Sequence, residues 1–528
     1  MKKVSVLDCT LRDGGYCNGW NFGQENVRRI INGLLAANVE YIECGFLTDR
    51  VEYDEDKTKF TDLCQLDGII PKGRVGKPFL VMVNYGEYRA EDLPECRDTC
   101  IDGIRVAFHK KDLENAIELC AKIKEKGYMV FAQPMVSMSY SDEEFISLIR
   151  KINGIRPYAF YIVDSFGMMK RNALMKLVDL TGKNLDDDII IGFHAHNNLQ
   201  LAYSNAQYLA ELSLDRSLIV DVSVHGMGRG AGNLNAELFL EHLNEAVNTR
   251  YSIRPILNLM DETISRFYEE KPWGYSLPNY LSASHMIHPN YATYLDGKKT
   301  LTLEAMDEIF SMMDPEKGVE YDAKYIEDLY TQYLSRKDLD ESSIKEIANN
   351  ISGKKVLLIS PGRSAAEQKD RIIEFVNKEQ PVIFSINHDY PYTESDYIFV
   401  SNMRRFRQLS EKVYDKTIIT SNIRSKDTFA CVEYYRLLNV VEGVRDNAGF
   451  MAIKFISDMG NTGFWLAGFD GYSNDLSKDY ETKDMAELKS ADTLEILNER
   501  MRQVIEMYSN DLDIHFLTDS RIAPQKGR

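Results

Sequence analysis

Eight short apolar runs alternate with amphipathic helical segments along the first 230 residues, and no other feature constrains the fold as tightly. The runs at 3–8, 39–46, 78–84, 103–109, 128–134, 159–164, 188–194 and 218–224 read as strands. Between them, segments such as Glu25 to Ala37, Asp112 to Lys126, Asp142 to Ile152 and Leu199 to Leu212 carry apolar residues three and four apart. Strands separated by helices run parallel, and eight such units in about 245 residues match the size of a closed (β/α)8 TIM barrel. An open doubly wound sheet is the alternative. The barrel is preferred because polar residues cluster where the strands end, as a barrel's active face requires.

Arg12 and Asp13 end the first strand and precede Gly14 and Gly15, while Glu43 lies in the second. Arg105 and His109 belong to the fourth, Gln133 and Pro134 end the fifth, and Asp164 and Ser165 end the sixth. The seventh closes with His194-Ala195-His196. Residues two apart on a strand face the same way, so the two imidazoles can grip one ion, with Asp13 as a third ligand and Asn233 as a further oxygen. Two imidazoles and a carboxylate suit a divalent cation with open positions for water or substrate. Arg12 is placed to stabilise negative charge developing on an enolate oxygen, and an ion pair with Glu43 would lock it there. Ser165 and its neighbouring backbone are candidates for a substrate carboxylate. The eighth strand runs into His225 to Asn233, whose four glycines permit positive backbone angles and expose amide N–H groups.

A chain of 528 residues is too long for one ordinary core. The barrel is assigned to 1–250, a helical extension to 251–352 and a smaller Rossmann-like α/β domain to 353–528. In that last domain Val356–Ile359, Pro381–Ile386, Tyr397–Val400, Thr417–Thr420 and Phe464–Gly468 read as strands, Glu367–Asn377 and Met485–Tyr508 as helices. The turn Ser360-Pro361-Gly362-Arg363-Ser364 offers amides at a helix start to a phosphate, with a nucleotide or nucleotide-sugar as the expected ligand. A net charge of −18 argues against nucleic acid or an acidic membrane as partner. Apolar stretches fall short of the roughly 18 residues of a membrane helix. The amino terminus leads directly into the first strand, which leaves no room for a signal peptide, and eight scattered cysteines form no C-x-x-C pair. A reducing cytoplasm is the expected home, and a homo-oligomer is expected.

As a set, Leu11-Arg12-Asp13-Gly14, Glu43, His194-x-His196 and Gly226-Met227-Gly228-x-Gly230-Ala231-Gly232-Asn233 resemble the signature of the DRE-TIM metallolyases, over about residues 1–290. Within that HMGL-like group the chain looks closest to the 4-hydroxy-2-oxovalerate aldolase branch, which also carries an Asp-Ser pair on strand six. The resemblance implies Mn2+ or Mg2+ bound by Asp13, His194 and His196. It further implies Arg12 stabilising a metal-bound pyruvate-type enolate, and a carbon–carbon bond formed or cleaved beside it, with a 2-oxo acid and an aldehyde as substrates. The branch carries a histidine base where this chain has Tyr16. An ordinary phenol is a poor base at neutral pH, so the proton falls to Tyr16 with a lowered pKa, to a metal-bound water, or to His109, His225, His285 or His288. An acyl-CoA/2-oxo acid condensing synthase and a non-catalytic scaffold barrel are the alternatives.

Overall fold

The computed structural model describes residues 4–71, 76–212, 215–246, 250–298, 301–334, 340–425, 427–473 and 491–524. Its first strands are β1 (Val4–Asp8), β2 (Tyr41–Leu47), β3 (Phe79–Asn84) and β4 (Gly103–Phe108). They continue as β5 (Met129–Pro134), β6 (Ala159–Asp164), β7 (Ile190–Ala195) and β8 (Leu218–Val222). All are parallel. Because β1 pairs with both β8 and β2, the sheet closes into a barrel and the open-sheet alternative is excluded. A two-residue strand, Lys59–Phe60, lies against β2 outside the barrel, too short for any sequence pattern to announce it.

Alternation along each strand sorts its side chains. Val4 and Val6, Ile42 and Cys44, Ile104 and Val106, Ile191 and Phe193, and Val220 and Val222 pack in the layer shared with the helices. Their alternates Leu7, Tyr41, Phe131, Tyr161 and Ile219 form a separate cluster inside the barrel. The same parity turns Glu43, Arg105, His194 and Asp221 inward. Gly192 on β7 makes room for this filling, since a Cβ there would stand 2.2 Å from the Tyr161 ring. The helices cover the outside in the expected way: Gln24–Ala36 buries Val27, Ile30, Ile31 and Leu34 on one face. Asp142–Ile155 starts with a capping box between Ser141 and Glu144.

One detail corrects the sequence reading. The first strand stops at Asp8, and Arg12 and Asp13 ride on a separate helical turn, Thr10–Asp13, closed by an Asp13 N–H donated to the Cys9 carbonyl at 2.8 Å.

The chain divides into two compact units, Met1–Lys299 with Met306–Ala323, and Thr300–Ala305 with Lys324–Arg528, a division that falls inside the expected helical extension. In the first unit the extension includes Ile253–Leu259, Ser265–Glu270, Leu277–Ser284 and Pro289–Gly297. The second unit holds a seven-stranded parallel sheet of β9 (Val356–Ile359), β10 (Val382–Ile386), β11 (Tyr397–Val400), β12 (Thr417–Thr420), β13 (Ala430–Val432), β14 (Gly463–Ala467) and β15 (Asp513–Phe516). Their order is β13-β12-β11-β10-β9-β14-β15, reversing direction between β9 and β14. Sequence reading missed β13, only three residues long, and β15, a half-exposed edge strand. The helix expected at 367–377 is Lys369–Glu379, and a separate short helix, Arg363–Glu367, precedes it. The helix expected from Met485 is Ala491–Tyr508, residues 485–490 lying outside the described ones. Among the described residues no helix is long and apolar enough to cross a membrane.

Candidate metal centre

Asp13, His194 and His196 converge at the carboxyl end of the barrel, each offering a ligand atom within 4.8 Å of the others, all three buried. The Nδ1 of His196 lies 3.7 Å from Asp13 Oδ2 and has no hydrogen-bond partner. Two atoms each about 2.1 Å from one ion stand no more than about 4.2 Å apart, so this pair already brackets an ion. Asn233 donates its Nδ2–H to Asp13 Oδ2 at 2.6 Å, while its carbonyl oxygen is buried without a partner. Gly228 permits this crowding: a Cβ there would stand 2.4 Å from Asn233 Nδ2 and 2.8 Å from Asp13 Oδ2.

Beneath these groups runs a chain of buried ions. Arg12 donates to Asp13 Oδ1 at 2.5 Å and, through Nε, to Glu43 Oε2 at 2.9 Å. Glu43 Oε2 also accepts from Arg105 Nη1 at 2.7 Å, and the other Arg105 Nη donates to Asp221. Asp221 Oδ2 in turn holds His194 Nδ1 at 2.9 Å, which leaves Nε2 of that ring for an ion. With the amide of Gln133 turned, its oxygen accepts from Arg105 Nε at 2.9 Å. The ion pair expected between Arg12 and Glu43 is therefore present and is part of a longer network.

Burial pushes the Asp13 carboxyl up, but Arg12 and the two imidazoles prevail and hold it well below the usual carboxylate range. Burial likewise opposes Asp221, and Arg105 and the His194 hydrogen bond hold it below its ordinary value. Burial lowers His196 to about 3, so its imidazole is neutral, the form that ligates metals. Two guanidinium groups thus face three carboxylates in a water-poor interior. A buried excess of negative charge is costly, and a divalent cation among the unpartnered oxygen and nitrogen atoms offsets it. The donor set fits such an ion.

The remaining expected residues differ in their surroundings. Tyr16 stands at the mouth, its ring edge-on to Trp20 at 4.7 Å and under the Arg229 guanidinium at 5.4 Å. Although 36% of the residue is exposed, desolvation of its phenol raises it above the ordinary value, against the alternative of a lowered pKa: Tyr16 keeps its proton. Ser165 Oγ accepts the Val136 N–H at 2.9 Å, and the Asp164 carboxylate receives the Met168 and Met169 N–H groups, each at 2.9 Å, so this pair first of all builds its own turn. His285 is paired with Asp307 at 2.7 Å, and His225 packs between Tyr268 and Trp273. Sequence reasoning missed Asp221, whose signal was a lone carboxylate inside the apolar run Leu218–Val222, and Arg229, the one charged residue of the glycine loop.

In the second unit the helix start expected to receive a phosphate is filled from within. Asp470 accepts the Ser364 N–H at 2.7 Å and the Ser364 hydroxyl at 2.5 Å, and Ser364 Oγ also meets Thr518 Oγ1 at 2.7 Å. A carboxylate in that position repels an anion, so the expectation of a phosphate on these amides is corrected.

The HMGL-like family model matches residues 106–261. A 4-hydroxy-2-oxovalerate aldolase of Pseudoalteromonas translucida (strain TAC 125) is 25% identical over 268 residues, 50% of this chain and 76% of that protein. The 4-hydroxy-2-oxovalerate aldolase of Geobacillus genomosp. 3 is 28% identical over 245 residues, 46% and 70% of the two chains. An oxaloacetate decarboxylase of Mycobacterium tuberculosis (strain ATCC 25618 / H37Rv) is 26% identical over 243 residues, 45% and 69%. Among solved structures, a Rhizobium etli pyruvate carboxylase variant shares the fold with a TM-score of 0.50 at 15% identity, over 66% of this chain and 34% of that one. With its closed barrel, its Arg-Asp turn and its paired histidines, the barrel part of this chain is similar to the DRE-TIM metallolyases, whose HMGL-like family model it matches.

Proposed function

We propose that the barrel is a divalent-metal-dependent aldolase, a carbon–carbon lyase that forms or cleaves the bond next to the enolate of a pyruvate-type 2-oxo acid. The observation that carries this reading is the buried Asp13, His194 and His196 cluster beside a fixed guanidinium at the carboxyl end of a barrel. The relatives' names support it, since opening 4-hydroxy-2-oxovalerate and decarboxylating oxaloacetate both leave pyruvate enolate. The mixed carboxylate and imidazole set, with the Asn233 carbonyl near it, suits Mn2+ or Mg2+.

In the cleavage direction the 4-hydroxyl of a 4-hydroxy-2-oxo acid passes its proton to the Tyr16 oxygen as Tyr16 releases its own proton to water at the mouth, and C4 becomes the aldehyde carbonyl carbon. The C3–C4 electron pair passes to the C2 carbonyl oxygen, and the enolate is then protonated at C3 to give the 2-oxo acid. A bound divalent cation supplies Lewis-acid polarisation of that C2 carbonyl. Arg12, held by Glu43 and by Asp13, keeps a guanidinium beside the oxygen on which charge develops, and its buried Nη2 has no other partner. Ser165 donates to the substrate carboxylate. Tyr16, protonated before and after the step, relays the 4-hydroxyl proton, and in the condensation direction it gives its proton to the oxygen at C4 while taking one from water.

The test is metal-dependent deuterium uptake at the methyl group of pyruvate, followed by NMR. Exchange is expected with Mn2+ or Mg2+ and a loss of about 1,000-fold or more is expected in Asp13→Ala. Absence of exchange in the wild type overturns the reading.

A further inference from the structure

Resting on the aldolase reading, the surroundings of Arg229 bear on which aldehyde the site takes. Arg229 follows Gly228, the residue in contact with Asp13 and Asn233, and its charge is felt at both Asp13 and His196. Its side chain reaches across the mouth. Nη2 donates to the Ser165 carbonyl at 3.1 Å, the guanidinium lies over the Tyr16 ring at 5.4 Å, and Nη1 stands 3.2 Å from His288 Nε2. Its Nε is buried without a partner, and none of these contacts is a carboxylate. A half-buried guanidinium whose direct contacts are a carbonyl, a ring and an imidazole feels the Asp13 charge at a distance but has no carboxylate hydrogen-bonded to it, as such a group ordinarily has.

His288 sharpens the point. It caps the helix Pro289–Gly297, its Nδ1 accepting the Asn290 N–H at 3.2 Å. A neutral imidazole has one acceptor nitrogen and one N–H. With Nδ1 spent as acceptor, Nε2 carries the proton and meets Arg229 Nη1 donor to donor. The opposite tautomer moves the same conflict to Asn290, and a protonated ring worsens it. Burial and the neighbouring Arg229 charge keep this ring neutral. Two donors aimed at each other beside an unpartnered guanidinium N–H are resolved by one acceptor placed between them.

We propose that Arg229 and the Nε2–H of His288 form a subsite for an anionic group on the aldehyde partner, so that the barrel handles a carboxylate- or phosphate-bearing aldehyde in preference to a neutral one. The reacting atoms are those of the aldol step above, the anionic group taking no part in bond making.

The experiment compares matched aldehydes with pyruvate and the Mn2+-loaded full-length protein: 3-carboxypropanal against butanal, and glyceraldehyde 3-phosphate against glyceraldehyde. At least one anionic member is expected to exceed its neutral counterpart by about 100-fold in kcat/KM, and which pair does so tells carboxylate from phosphate. In Arg229→Ala that ratio is expected to collapse by about tenfold or more, with Arg229→Lys keeping part of it as a charged variant that preserves folding. Wild-type ratios near one in both pairs overturn the subsite, as does an undiminished ratio in Arg229→Ala. If the wild type exchanges deuterium into pyruvate but shows no charge preference, the subsite fails alone; if it does not exchange, the aldolase reading fails and the subsite with it.

Discussion

Asp221 touches no expected ligand position except through His194, yet it fixes which ring nitrogen is left for the ion. Replacing it with Asn keeps the shape but removes the charge that orients the imidazole and balances Arg105. Asp221→Asn is expected to weaken Mn2+ binding by about 10- to 100-fold in calorimetric titration. Asp8 gives a second test, on stability. Its carboxyl is fully buried, and burial pushes it up to about 7 despite hydrogen bonds from the Thr10 N–H and hydroxyl. Between about pH 4 and 7 the unfolded chain has released this proton while the folded chain keeps it, so this group costs stability progressively as pH rises through that window. Metal-free wild type should lose up to about 4 kcal/mol from this source between pH 4 and 8, a loss absent from Asp8→Asn in urea unfolding. For Tyr16 the raised phenol pKa means no loss of activity from its ionisation below pH 10. Tyr16→Phe should lower the condensation rate about 100-fold without moving the pH profile in that range.

At the scale of elements, what the sequence could announce was periodicity. Eight apolar runs and their intervening helices carried enough repeats of period two and period 3.6 for every barrel strand to be located, and the two-residue spacing of His194, in β7, and His196, just past its end, pointed to the one cluster that holds both. What it could not announce was geometry set by single turns. Nothing in Thr10–Asp13 marks a helical turn as against the end of a strand, and the three-residue β13 and the half-exposed β15 are too short or too polar to show a pattern. The Asp470 carboxylate that fills the Ser364 helix start lies 106 residues away, a pairing no local motif contains. Gly192 and Gly228 show how elements are fitted to one another. Gly192→Val would drive a side chain into Tyr161 and should destabilise the barrel by about 3 kcal/mol in denaturant unfolding. Gly228→Ala would press on Asp13 and Asn233 and should reduce metal affinity more than stability.

In the molecule as a whole, a barrel that closes through β1 holds a buried network with more carboxylates than guanidinium groups, and a cluster of three ligands lies above that network. A cation that balances this network should stabilise the fold that contains it: saturating Mn2+ at about 100 times its Kd is expected to add about 2.7 kcal/mol to the unfolding of the barrel unit, an increment that EDTA removes. The most direct test is crystallographic, the anomalous scattering of crystals of the full chain grown with Mn2+. One peak is expected, about 2.0–2.3 Å from the Asp13 carboxylate and from a ring nitrogen of both His194 and His196. A protein that takes up Mn2+ elsewhere, or that binds it equally well as Asp13→Ala, would contradict this assignment.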